Sequence, residues 1–271
     1  MFAPAVIHWD VSPVIFRLGP LSIRWYGLLF GLGFLVGFYL MRRVFRREDK
    51  PEADLDILLI YLVLGTIIGA RLGHILFYHP GYYLSHPLEI IMVQRGGLAS
   101  HGGLIGVLGA LYLYARSRPE QPLLWLIDRL AAPVALTGCF IRLGNLFNAE
   151  ILGVPTDVPW AFVFARVDAT PRHPAQLYEA LAYLLIFALL LALYRRYGPQ
   201  TPRGLLSGLF FTLVFTARFF IEFVKMQQAP FADALPLQMG QLLSLPAIAL
   251  GVALLAYAWR QGAPAPEPDG A

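Results

Sequence analysis

The residues best able to do chemistry in this chain are a run of polar side chains set among apolar ones. Arg142, Asn145, Asn148 and Glu150 lie in RLGNLFNAEILG, Arg218 and Glu222 in ARFFIEF, and His101 in SHGG. Arg142 and Asn145 are separated by i,i+3, and Arg218 and Glu222 by i,i+4, so on helices each pair shares a face. A guanidinium prefers a planar oxyanion, phosphate or carboxylate, that it can grip with two N–H groups. Two arginines near one depth can therefore make a phosphate site, with Glu150 and Glu222 orienting them; the alternative for Arg218 and Glu222 is a structural salt bridge. His101 is either a satisfied structural residue or a base, and Gly102 and Gly103 clear space around its imidazole. Gly144 leaves room for another backbone or a ligand beside Arg142.

The elements that must position these groups are membrane helices. Of the 271 residues, 58% are hydrophobic and 14% charged, against roughly a quarter charged in an ordinary soluble domain. With a mean hydropathy of +0.61, the chain has too little polar surface to wrap a water-soluble globule. Disorder, collagen-like repeats and nucleic-acid arrays are excluded. A bilayer core about 30 Å thick needs about 20 apolar helical residues, and stretches at 22–41, 55–78, 98–115, 123–146, 175–194, 204–225 and 238–259 meet or approach that length. The expected fold is an all-α polytopic membrane protein of about seven transmembrane helices. Residues 79–97 mix aromatics with Pro and Gly as an interfacial arm. Residues 149–174 form a small strand-bearing cap, and 263–271 a disordered tail beyond a single domain over 1–262.

Charge in the loops sets orientation. Arg42, Arg43, Arg46, Arg47, Lys50, Arg116, Arg118, Arg195, Arg196, Arg203 and Arg260 fall on one side, and only Arg17, Arg95, Arg166, Arg172 and Lys225 on the other. The richer side is cytoplasmic, which puts the N-terminus outside, the C-terminus inside and the 149–174 cap on the periplasmic face. Loop parity then brings Tyr26, His101, Arg142, Asn145, Asn148, Glu150, Arg218 and Glu222 to the outer leaflet. Ionisable groups inside spans are costly and mark function by default. Arg71 and Arg129 carry either a packing or a functional charge. The series Gly31, Gly33, Gly37 and Gly65, Gly69, Gly73 reads as helix-packing faces, and Cys139, the one cysteine, as an inert small hydrophobe. No zinc helix, nucleophile elbow or Walker loop is present in the sequence, and no metal or cofactor is called for.

The chain resembles the bacterial prolipoprotein diacylglyceryl transferases over nearly its whole length. The likeness rests on HWDVSPVIFRLGP (8–20), RWYG (24–27), SHGGLIG (100–106), RLGNLFNAEILG (142–153), RHPAQLYE (172–179), Gly204 to Gly208, and Arg218 with Glu222. The block at 142–153 is similar to the signature Gly-Arg-x-Gly-Asn-x-x-Asn-x-Glu-x-x-Gly, with Ile141 in place of the first glycine; Val214 stands where relatives often carry tyrosine. The resemblance implies transfer of the diacylglyceryl group of phosphatidylglycerol to the lipobox cysteine of a preprolipoprotein signal peptide, releasing glycerol phosphate, in the bacterial inner membrane. It implies that His101, Arg142 and Arg218 are catalytic, and that Tyr26, Arg142, Asn145, Asn148, Glu150, Gly153 and Glu222 bind substrate. The expected partners are phosphatidylglycerol, the prolipoprotein and membrane lipids, with no nucleic acid. Either His101 or the field of the arginines ionises the thiol. The rival reading is a lipid or anion transporter that binds its cargo on buried arginines.

Overall fold

The structure, a computed structural model, describes residues 6–19, 21–93, 96–227 and 237–262. Expected disorder at 263–271 lies outside these residues. The chain groups into two compact units, residues 1–41 with 128–271, and residues 42–127.

The long apolar stretches become helices α1 (Trp25–Arg47), α2 (Glu52–Tyr78), α4 (Ser100–Arg116), α5 (Leu123–Asn148), α6 (Ala175–Tyr197), α7 (Leu205–Ile221) and α8 (Met239–Arg260), with a short α3 (Pro80–Ser85) between α2 and α4. Six of them are long and apolar enough to cross a membrane; the protein is a multi-pass membrane protein. The exception among the long helices is α4, whose 17 residues extend only about 25 Å at 1.5 Å per residue; α7, also 17 residues, reaches a spanning length with the turn that continues it to Val224. Large apolar side chains stand exposed along these helices, among them Leu35, Ile60, Leu64, Leu104, Leu108 and Leu185, as a surface solvated by acyl chains requires. Charges complement the helix dipoles: Glu52 and Asp54 open α2, while Arg46 and Arg47 close α1 and Arg195 and Arg196 close α6.

In the unit 42–127, α2 and α4 meet through glycine. A methyl group placed on Gly69 would overlap the Gly102 carbonyl and come within 2.7 Å of the Gly106 Cα, and one on Gly73 would reach the Gly102 Cα at 2.6 Å. The two backbones touch, the small-residue packing on which membrane helices rely where no hydrophobic effect drives them together. At their other ends, Arg118 Nε and Gln121 Nε2 donate to the Asp54 carboxylate at 2.8 and 2.7 Å, and Tyr114 donates to Gln121 Oε1 at 2.6 Å. The expected arm is α3 followed by a 3₁₀ turn at Pro87–Ile91. Its carbonyls hang on Arg71, whose guanidinium donates to Ile90, Gly96, Gly97 and Glu89 and faces the Tyr83 ring at 4.9 Å.

In the other unit the first helix starts at Trp25 rather than residue 22, because β2 (Val14–Leu18) and β3 (Leu21–Arg24) form an antiparallel hairpin that ends there. A second sheet joins β1 (Ile7–Trp9) in parallel to β4 (Phe162–Phe164), which pairs with β5 (Pro171–Arg172). The cap at 149–174 thus bears strands as expected, but borrows one from the N-terminal segment. Leu146, Phe162 and Phe164 bury against Trp9 and Leu177, and the Trp9 indole donates to the Leu146 carbonyl at 3.1 Å. This seats the sheet on the last turn of α5.

Asp128, fully buried on α5, caps α7 from a distance. It accepts from the Gly204 and Ser207 backbone N–H groups at 2.5 and 2.9 Å and from the Ser207 hydroxyl at 2.6 Å. An anion at a helix N-terminus satisfies donors that have no intrahelical acceptor, and Gly204 at φ +91° adopts the left-handed turn this needs. Asp128→Ala strands these donors in a dry interior and should cost about 1–3 kcal/mol. The thermal midpoint in detergent should drop for Asp128→Ala and less for Asp128→Asn, which keeps an acceptor; an unchanged midpoint in the alanine variant removes the cap.

Candidate active site

The polar residues of the unit 1–41 with 128–271 converge where α5 ends, α6 begins and α7 ends. Their centre is Glu179 on α6, none of whose surface is exposed. Arg142 Nε lies 2.8 Å from Glu179 Oε2, Lys225 Nζ 2.9 Å from Oε1, and Arg218 Nη1 3.9 Å from Oε1. Tyr183, one turn along α6, donates its hydroxyl to Glu179 at 3.4 Å. Lys225 also donates to Glu222 Oε2 at 3.1 Å.

This changes the expected division of labour. Glu150 and Glu222 were expected to orient the arginines; the carboxylate between Arg142 and Arg218 is instead Glu179. Glu222 pairs with Lys225 because α7 ends at Ile221 and tightens into a 3₁₀ turn at Glu222–Val224, which swings Lys225 back over it. Glu150 is held by amides: Asn145 Nδ2 and Asn148 Nδ2 donate to its two oxygens at 3.1 and 3.2 Å. Asn145 in turn accepts from Arg142 Nη1 at 3.2 Å. The turn that brings Glu150 back over α5 places Ala149 and Ile151 in the left-handed region, at φ +55° and +57°. Residues with a Cβ pay about 1–2 kcal/mol each there, and the amide contacts to Glu150 hold the turn against that cost.

Two glycines of the block serve close approach. Gly144 faces Tyr26 at the start of α1, and a methyl on it would sit 2.8 Å from the Tyr26 ring; the room beside Arg142 is thus filled by Tyr26, near enough to Arg142 and Glu150 to feel both charges. Gly153 is pinned on two sides. It pairs with Lys225 on one, and on the other a methyl would overlap the His173 carbonyl and lie 2.6 Å from the His173 Cβ. Backbone bonds from Val154 to Val224 and from His173 to Val154 complete this weave. The place of Gly153 in the block follows from packing that sets Lys225 above Glu179. In the cap, outside the spans, the Arg172 guanidinium and then the Thr170 N–H hold the Asp168 carboxyl below the usual carboxylate range, so Arg172 and β5 are tied down at neutral pH.

His101 belongs to the unit 42–127, as the second residue of α4. Its imidazole is exposed, edge-on to Phe77 at 5.1 Å and beside Tyr78 at 6.0 Å. Gly102, expected to clear space for that imidazole, instead packs on the backbone of α2. Arg71, read as either packing or functional, holds the segment leading into α4. Glu179 and Lys225 were missed as site residues, although a carboxylate inside the apolar helix pattern after RHPAQLY was a signal for the first.

A buried carboxylate serving three cations cannot be neutralised cheaply: removing one partner from a buried ionic group costs about 3–5 kcal/mol. Glu179→Gln should lower the unfolding midpoint markedly, and adding Lys225→Met, which deletes one of the stranded cations, should recover part of the loss. Strictly additive losses in the double variant would show that the two do not interact.

Residues 13–257 match the prolipoprotein diacylglyceryl transferase family. Among relatives, a phosphatidylglycerol–prolipoprotein diacylglyceryl transferase of Chloroherpeton thalassium is 55% identical over 96% of this chain and 97% of its own length. Proteins of the same name from Tolumonas auensis and Bacteroides fragilis are 52% and 43% identical, over 92% and 91% of this chain and 96% and 93% of their own. The match spans both the arginine–glutamate cluster and the His101 segment, and the chain belongs to the prolipoprotein diacylglyceryl transferase family.

Proposed function

We propose that this protein transfers the diacylglyceryl group of phosphatidylglycerol to the lipobox cysteine of a prolipoprotein. The observation that carries the reading is the gathering of Arg142 and Arg218 on one buried glutamate. Arg142, Arg218 and Lys225 outnumber the two carboxylates in direct ion-pair contact with them, Glu179 and Glu222, while Glu150 stands one amide removed from Arg142; paired arginines of this kind suit a phosphodiester monoanion. Relatives named for this activity at up to 55% identity add their weight. A transporter would also use arginines, but those names do not favour it.

The reaction is a displacement at carbon. The thiolate sulfur attacks the carbon of the diacylglyceryl group that bears the phosphate, a C–S bond forms and the bond between that carbon and the phosphate oxygen breaks. The electron pair leaves on the phosphate, which departs as glycerol phosphate with one more negative charge than the diester had. Arg142 and Arg218 bind that phosphate more strongly as its charge grows, which is how a preorganised site lowers a barrier. A free thiol has a pKa near 8.5, and a poorly hydrated site raises it, so a base is needed; His101 is assigned to take the proton. Tyr26, Asn145, Asn148 and Glu150 orient the headgroup and Arg142, and Gly153 and Glu222 keep Lys225 in place.

The test is purified protein with phosphatidylglycerol and a lipobox peptide, read as thioether-linked product. Arg142→Ala should lose about 10²–10³-fold in rate, by analogy with deleting one charge-stabilising donor, and Arg142→Lys should recover little because it lacks the fork. His101→Gln should be slow at neutral pH and partly rescued as rising pH supplies thiolate. Wild-type turnover by Arg142→Ala overturns the phosphate assignment, and full activity of His101→Gln at neutral pH overturns the base.

The loop charges support insertion in the bacterial inner membrane with the N-terminus and the cap on the periplasmic side. That is also where a secreted precursor emerges with its cysteine. In a Cys139→Ala background, a cysteine placed at the exposed Asp157 should react with an impermeant maleimide added to intact spheroplasts, and one at the exposed Gln200 should not. The opposite pattern reverses the orientation.

A further inference from the structure

Gln176 is the second residue of α6, three before Glu179 and therefore on the same face. None of its surface is exposed. Its Nε2 donates to the Glu150 backbone carbonyl at 2.5 Å. A carbonyl only accepts, so this contact fixes the amide: nitrogen faces Glu150, and oxygen faces away from it. That oxygen, Oε1, is buried and has no donor among the described residues. Asn148 is in the same condition, with Nδ2 committed to the Glu150 carboxylate and Oδ1 buried without a donor. Native interiors leave few polar atoms unpaired, and each exception calls for an explanation.

Two carboxamides are thus anchored by their nitrogens on one residue, Glu150, and each keeps an oxygen that lacks a donor. The same Glu150 connects through Asn145 to Arg142. A ligand whose phosphate is held by Arg142 and that carries neutral donors beyond the phosphate satisfies both oxygens. Neutral amide oxygens are matched by a neutral donor, and a hydroxyl donates without adding charge.

Resting on the reading of the lipid donor given above, we propose that Gln176 Oε1, with Asn148 Oδ1, accepts the hydroxyls of the headgroup glycerol, so that Gln176 is a specificity-determining residue selecting a polyol phosphodiester. A site built to hydrogen-bond a substrate hydroxyl rejects an analogue lacking it, because its own buried groups are then left unpaired.

The experiment compares phosphatidylglycerol with phosphatidylpropanol, the same phosphodiester without headgroup hydroxyls, as donors to a lipobox peptide in detergent. Wild-type protein should favour phosphatidylglycerol by at least about tenfold in kcat/KM. In Gln176→Leu, and in the volume-matched Gln176→Met, that preference should fall toward unity whatever the loss in absolute rate. If the variants lose rate equally with both lipids and keep the preference, Gln176 merely props Glu150 and its oxygen meets a buried water; the proposal is then wrong. Should neither variant fold, Gln176→Asn, which keeps the amide but draws its oxygen back by one methylene, takes their place: a preference reduced toward unity upholds the proposal and an unchanged one overturns it, while equal use of both lipids by the wild type overturns it in any case. Transfer from neither lipid would instead sink the proposed activity itself.

Discussion

Glu179 is a carboxylate with no exposed surface, set in the first turns of an apolar helix, and the architecture around it answers the cost of putting it there. An isolated buried charge is strongly disfavoured, and repayment demands close partners in good geometry. Arg142, Lys225 and Arg218 come from three separate places in the chain. Two of them have their own support, Asn145 for Arg142, and Glu222 with the Gly153 pairing for Lys225. The electrostatic demand of one side chain thereby couples the end of α5, the start of α6 and the end of α7.

That coupling also suits the proposed transfer. Two arginines that met without a shared anion would repel one another, and a stronger set of carboxylates would neutralise them and leave nothing for a ligand. Glu179 and Glu222 are the carboxylates in direct contact with the three cations, which holds the guanidiniums close. The strained turn at Ala149 and Ile151 brings Glu150 back to amides instead of cations, so that it meets Arg142 through Asn145.

Glycine has a consistent part in both units. At Gly69, Gly73, Gly102 and Gly106 it lets two helix backbones touch, and at Gly144 and Gly153 it lets Tyr26 and His173 approach. In a membrane, where apolar side chains gain little by leaving lipid, such contact supplies packing that larger residues would prevent. Gly102, adjacent to His101, is a case where a glycine beside a candidate base is explained by the helix behind it.

The amino-acid sequence by itself determined the long apolar helices and singled out several of the polar groups that the structure gathers around Glu179, because length, hydropathy and i,i+3 or i,i+4 spacing are local properties that need no knowledge of neighbours. The motifs at 100–106, 142–153 and 172–179 also carried the family. Tertiary structure alone decided which acid serves which cation. Lys225 meets Glu179 across 46 positions of chain, a partnership that depends on a 3₁₀ turn after α7 and on Gly153 pairing with Lys225, and no periodicity encodes either. The N-terminal hairpin and the parallel strand Ile7–Trp9 stayed hidden for a related reason: a strand of three residues has too little pattern of its own and is stabilised by the cap it joins. The unpaired oxygens of Gln176 and Asn148 are the same kind of fact, since whether a polar atom has found a donor is a property of everything around it.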